Sequence, residues 1–379
     1  MHRPSIYDRL HRYRKPEAPA MDASPRFEAG RLALVAALAL TPAGVVSTSG
    51  VPEAVAPAQD AGLSGRRGEP VPVYCISGLN EALPGVPGDP VAHRECRLLA
   101  TLLDELLLVT ADIPEEAVVD VVWTTALASP ARERAVERLK GVLERWRLPV
   151  TFQRIEAGPP ADCANLHECL APAPGSGARW VIWLSASSLV NGPGVDLLTR
   201  EGALKTVMHP QGLAPGEAAS AVVFRRFVPD ESRGVAETGW TLYRGQRTAS
   251  VSRRKGSGLS QALAECIGGY TASVCDEPPE ADAIVTDTPG LPGRSGELAG
   301  MLSVRYPQMD LVEHGADLER FCGWPGDAAY GVQVALGAAM AGVGGSALLL
   351  QLRDDGITGV QWLVGSPSPG GDEVVSGAG

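Results

Sequence analysis

The sequence predicts an α/β fold built from two pseudo-repeated βα halves with mixed sheets, and three observations carry that reading. Short apolar runs alternate with amphipathic stretches through 71–147, and the alternation returns through 258–342. Each half then closes on apolar runs suited to paired strands, at 180–224 and at 346–364. With 379 residues the chain can bury a sizeable core as one large or two medium domains.

The N-terminal part reads as three pieces. Residues 1–31 are a basic arm, Arg3, Arg9, Arg12, Arg14 and Lys15 against Asp8 and Glu17, with a composition that predicts disorder. Residues 32–46 are uncharged and rich in Leu, Ala and Val. These 15 residues fall short of the about twenty that span a bilayer and are nearer a signal-peptide core. Three readings stay open for them: a signal or anchor, a short membrane-associating helix, or an ordinary buried or disordered leader. The first would place the body in the periplasm or at the inner membrane, and otherwise it is cytoplasmic. Residues 47–70 have a linker's Ala/Pro/Gly/Ser composition.

The folded body is expected over 71–365, with a disordered tail at 366–379. Val71–Ser77 is strand-like and Gly78 ends it. Pro90–Val109 carries Leu98, Leu99, Leu102, Leu103 and Leu106 on one helical face. Val118–Trp123 is a second strand, and Ser129-Pro130 opens a helix to Arg147 whose wet side holds Glu133, Arg134, Glu137 and Arg138. After a third strand at Val150–Ile155, the segment Pro159–Leu170 turns into a short helix stopped by Pro172 and Pro174.

Trp180–Leu184 and the stretch Gly212–Phe224 then read as neighbouring core strands. The second is entered through a Pro/Gly-rich loop, Gly212, Pro215 and Gly216, where the backbone must approach something closely before Glu217 starts the strand. Val235–Val251 reads as exposed strands, and Arg253-Arg254-Lys255 as a solvated loop. The second half follows with helices at Gly258–Ser273 and Glu297–Tyr306 around a strand at Ala283–Thr286. An Ala/Gly-rich helix from Gly326 to Gly342 precedes strands Ser346–Leu352 and Gly359–Val364, which flank a hairpin turn at Asp354-Asp355-Gly356.

Composition narrows the function classes. A net charge of −11 disfavours nucleic acid as a partner, because no overall basic field is present to neutralise phosphates. The 7 cysteines form no C-x-x-C pair and read as small buried hydrophobes, although in an exported body Cys163 with Cys169 or Cys266 with Cys275 could bridge. P-loop, dinucleotide-binding, H-E-x-x-H and G-x-S-x-G motifs are all missing, so neither a cofactor nor a metal is predicted. His93, His209 and His314 have no Cys, Asp or Glu partner at ligand spacing.

The turn at Leu184–Ser188 followed by Gly212–Phe224 resembles the ketoacyl synthases of the thiolase superfamily, whose corresponding strand reads Gly-x-x-x-Gly-Glu followed by small and then β-branched residues. The resemblance covers roughly fifty residues and implies a thiolase-like layered fold. It also implies where chemistry would sit: a cysteine at the start of a buried helix, and two histidines, or a histidine and an asparagine, that stabilise an oxyanion.

Mapped by that resemblance, Cys163 takes the nucleophile's place, but Asp162 and Glu168 beside it oppose thiolate formation. The first histidine motif, of the form V-N-A-H-G-T, falls on Val285–Gly290 with Thr288 at or next to the histidine, and Glu297 follows. The second, G-H-x-x-G-A-A, falls on Gly326–Gly331 with Asp327 in the histidine's place. An ionised aspartate caps a helix but cannot donate to an oxyanion. The fold signals thus persist while the catalytic ones fail together.

The resulting expectation is a non-catalytic thiolase-fold protein that binds another protein as an adaptor. A second, shorter resemblance, over Trp180–Ser185 and Pro215–Phe224, is to adaptors that load lipase toxins onto type VI secretion machinery, which implies a lipase effector as partner. The alternative is a ketoacyl synthase-type acyltransferase using Cys163, or an inactive chain-length partner of an active ketosynthase. By analogy with the fold family a homodimer is also expected.

Overall fold

A computed structural model describes residues 27–79, 89–110, 113–145, 150–228, 239–249, 257–274, 280–287, 290, 293–310, 312–352 and 357–366. The basic arm up to residue 26, Thr288, the Arg253-Arg254-Lys255 cluster, Cys275, the Asp354–Gly356 turn and the tail from 367 lie outside these residues.

The apolar run after Arg31 is a correction to the sequence reading. It forms strand β1 (Arg31–Thr41), which sits in the middle of the main sheet between β8 (Glu217–Arg226) and β9 (Trp240–Tyr243). A strand covered on both faces needs an unbroken apolar sequence, and that requirement accounts for the run without a membrane. The register shifts between Leu34 and Ala36, so Leu32, Leu34, Ala37 and Ala39 face one core layer while Ala36, Leu38 and Leu40 face the other. No described helix is long and apolar enough to cross a membrane. The described body therefore includes strands well before Val71. Within the expected linker, β2 (Gly44–Ser47) pairs with β1, and β3 (Ala58–Ser64) pairs with β4 (Pro70–Val73).

The first half continues with α1 (Pro90–Val109), β5 (Val118–Thr124), α2 (Ser129–Arg145), β6 (Thr151–Gly158), α3 (Leu166–Cys169), β7 (Trp180–Ser188) and α4 (Gly192–Arg200) before β8. Helix α4 has no counterpart in the sequence reading. Asn191 caps it by accepting from the Gly194 amide at 2.8 Å, with Pro193 inside the first turn. The second half runs through β9, β10 (Gln246–Ala249), α5 (Ser257–Val274), β11 (Ala283–Thr286), α6 (Arg294–Arg305), β12 (Gly315–Asp317), α7 (Glu319–Cys322), α8 (Ala329–Ala341), β13 (Ser346–Leu352) and β14 (Ile357–Gly365).

Strand order exposes the duplication that no sequence repeat reveals. The first half orders its strands β6-β5-β7-β8-β1 and the second β12-β11-β13-β14-β9. Numbered within each half, both read 3-2-4-5-1. In each, the fifth strand is antiparallel to both neighbours and the second is parallel to both of its own. The half-sheets join through antiparallel β1 and β9, with Leu34 opposite Trp240. Strand β9 is accordingly buried, not exposed as its sequence suggests, because β1 and β14 flank it.

Helices cover the sheets in layers. α1 and α2 pack on the outer face of the first half-sheet, α5 and α6 on the outer face of the second, and α8 lies between the two. Its inner position explains why α8 is apolar on nearly all sides. The helix also comes so close to the sheet that a Cβ on Gly331 would stand 1.9 Å from Ser220 Oγ.

Candidate functional site

The loop that opened β8 does what its glycines imply. A Cβ on Gly216 would fall 1.7 Å from the Cys322 carbonyl oxygen, and Gly212 has a φ of 152°. The backbone at 214–216 runs alongside Trp324, with Trp324 N donating to Ala214 O at 2.7 Å and Gly216 N to Trp324 O at 3.0 Å. Pro215 O accepts from Tyr74 N at 2.9 Å, so three distant segments are tied at this point. Glu217, wholly buried, accepts from Ile76 N (2.6 Å), Ser188 Oγ (2.8 Å) and Arg94 Nε (2.9 Å). A buried carboxylate paired this completely fixes α1 and the 74–76 segment against the sheet. Glu297 has the same kind of position in the second half, bonded to Arg294 and accepting from the Leu259 amide at 3.2 Å.

Between the two halves lies a cavity of about 900 Å³. The end of β7, the 159–162 loop after β6, helices α1 and α4, residue 287 at the end of β11, and the entry to α8 together wall it. Asp327, which the ketosynthase resemblance maps to the second histidine, is on this wall and accepts from the Ala126 amide at 2.9 Å. Asp287, next to the position mapped for the first histidine, is on it as well and accepts from Leu352 N at 2.6 Å.

Cys163 is placed differently. Asp162 reaches the cavity, but Cys163 is turned behind it, 1% exposed, with its amide 3.4 Å from Gln351 Oε1 and its carbonyl accepting from Gly245 N at 3.1 Å. Burial, and then the charge of Asp162, raise its thiol pKa. Helix α3 begins three residues later and is only 4 residues long, so little helix dipole is available to favour a thiolate. The six described cysteines are free, so Cys163 and Cys169 form no bridge.

Two cavity residues escaped the sequence reading. Glu95 interrupts the apolar face of α1, and burial, with Asp327's charge adding to it, pushes its carboxyl up to about 8. Thr125 Oγ1 donates to it at 3.1 Å. Gln333 is a polar residue inside the otherwise apolar α8, and its Nε2 donates to Val285 O (3.0 Å) and Leu350 O (2.8 Å). A lone polar residue within a buried apolar pattern was the signal for both. The three histidines named from sequence are not on the cavity wall, and no His/Cys/Asp/Glu group suited to a metal occurs among the described residues.

Comparison with protein-family models and with curated proteins finds no match to this chain. Solved structures do match in fold. The ishigamide ketosynthase/chain length factor aligns at 14% identity with a TM-score of 0.56, covering 89% of this chain and 100% of that one. The PfaC keto synthase–chain length factor aligns at 11% identity and 0.57, over 91% of this chain and 43% of that one. A type II PKS acyl-carrier protein in complex with its ketosynthase bound to the hexaketide (AntDE:AntF) aligns at 12% and 0.53, over 90% and 100%. Together with the doubled 3-2-4-5-1 sheet, these matches establish that the chain has the thiolase-like fold of the β-ketoacyl synthases.

Proposed function

We propose that this chain is a non-condensing thiolase-fold subunit that works by pairing with another thiolase-fold chain, as a chain-length-type partner of an active ketosynthase. The observation that carries the reading is the position of Cys163: buried behind Asp162, away from the cavity, and followed by four residues of helix. Nucleophilic acyl transfer needs a thiolate that substrate can reach, and neither condition is met. Asp327 and Asp287 supply acceptors where an oxyanion would need donors.

Pairing is supported by β6. It ends the main sheet, and no described strand bonds its outer side. An unpaired edge next to the site is a template for a second chain. Neighbours of the same fold include ketosynthase/chain length factor proteins and a ketosynthase with its carrier protein.

Acylation tests the reading. Incubation with acyl carrier protein thioesters should add no mass at Cys163, and light scattering should find a two-chain particle, with a co-expressed ketosynthase or with a second copy. Stable acylation that Cys163→Ala abolishes would make the chain an acyltransferase instead.

A further inference from the structure

Two apolar side chains stand in water at the tip of a tight turn. Val207 and Met208 are 68% and 72% exposed, at positions where Gly, Pro, Asn, Asp and Ser are the usual occupants. The turn is closed at its base: Thr206 N donates to His209 O at 3.0 Å, and His209 N donates to Thr206 O at 3.1 Å. Below it Lys205 N donates to Leu213 O (2.9 Å) and Leu213 N to Ala203 O (2.7 Å), while Leu204 and Leu213 are buried in a small cluster with Val71 and Val73 of β4. The backbone thus holds two apolar residues out in solvent, where burial of both would be favourable.

A second turn lies beside the first. The connection from β3 to β4 carries Arg66 and Arg67, both exposed, and Glu69 links the two turns. The Glu69 carboxylate accepts from the Arg67 amide at 2.7 Å, and hydrogen bonds from its own amide and that of Arg67, then the charges of Arg67 and His209, lower its pKa. Lys205 is paired with Glu319, so the two turns present Arg66 and Arg67 against Glu69 in a chain whose net charge is −11. The tip itself is convex and small. A protein partner covers about 800 Å² on each side of a stable interface, which two residues do not supply. An acyl layer is fluid and closes around a tip of any shape, and an anionic headgroup layer attracts cations at its rim.

We propose that the 205–209 turn is a membrane-surface anchor, in which Val207 and Met208 insert below the headgroups of an anionic bilayer while Arg66 and Arg67 meet the lipid phosphates. Ala203 and Leu213, at the foot of the turn, also line the cavity between the halves, so the anchor and the cavity share a wall. The inference depends neither on the state of Cys163 nor on a partner chain.

Co-sedimentation of the full chain with lipid vesicles tests it. Vesicles of phosphatidylcholine mixed with phosphatidylglycerol should carry the chain down, and phosphatidylcholine alone should do so at least about fivefold more weakly. Val207→Asp combined with Met208→Asp should weaken binding to the mixed vesicles at least about tenfold. Arg66→Gln combined with Arg67→Gln should remove the difference between the two vesicle types. Val304→Asp combined with Val312→Asp places the same charge on two exposed valines of the second half and should bind as the wild type does. If the first pair fails to fold, Met208→Asp alone serves, with an expected loss of at least about threefold. No sedimentation with the mixed vesicles would assign the tip to a protein contact and overturn the proposal. Binding that survives the Val207 and Met208 substitutions, or an equal loss in the Val304 and Val312 pair, would overturn it too.

Discussion

The two halves share a strand order but not a middle layer. In the second half the stretch between the third and fourth strands carries α8, 13 residues of buried helix. In the first half the same interval, between β6 and β7, carries α3, 4 residues long. Polar ties take over where the helix is missing. Arg226, 2% exposed, donates to Asp120 Oδ2 at 2.9 Å and to the carbonyls of Leu170 (2.7 Å) and Ala178 (2.7 Å), pinning the 170–178 loop to the sheet. Both half-sheets contribute to one apolar interior around α8, and the first half adds a buried ion pair to it. Under the ketosynthase resemblance, the half with the shorter helix is the one mapped to carry the nucleophile.

That contrast can be broken most severely in the first half. Arg226→Ala should cost about 3–5 kcal/mol, because Asp120 is left buried with its closest cation gone, and the loss is read from the urea midpoint.

Glu95 probes the cavity between the halves. Its carboxyl is raised, so its contribution is fully present below the unfolded pKa near 4.5 and is lost as pH rises through about 8. Glu95→Gln should remove that decline and stabilise the protein by about 3 kcal/mol at pH 7, with little change at pH 4.5, as seen in urea titrations at the two pH values.

In the second half, Gly331→Ala places a Cβ against Ser220 Oγ and should cost about 2 kcal/mol, measured as a lowered Tm.

His167 gives the smallest effect. Burial pushes its imidazole down to about 4, so the unfolded chain binds a proton that the folded one refuses between that value and 6.5. Stability should fall by about 1 kcal/mol from pH 7.5 to pH 5.5, and His167→Phe should flatten the slope in thermal melts at the two pH values.

Much of the chain was legible before the structure. Helix 90–109 and strands 283–286 and 346–352 have the bounds the sequence predicts, since amphipathic spacing and clear breakers mark them. The run at 32–46 was misread because a strand buried on both faces and an apolar leader have the same composition. Strand β9 was misread for the opposite reason: at 4 residues it is too short for periodicity to show that it is central. Glu217 was legible as the start of its strand, but its partners Ile76, Ser188 and Arg94 lie 29 to 141 residues away and leave no local trace.

By itself, the sequence determined the α/β class, most of the helices and the close approach at Gly216. These are local facts, set by periodicity, by backbone sterics and by side-chain chemistry. Only the tertiary structure decided that the halves repeat one strand order, that Cys163 faces away from the cavity, and that Gln333, Asp287 and Asp327 converge on it. Pairing order and cavity walls are made by contacts between distant segments, and a linear pattern does not encode the direction in which a buried side chain is turned.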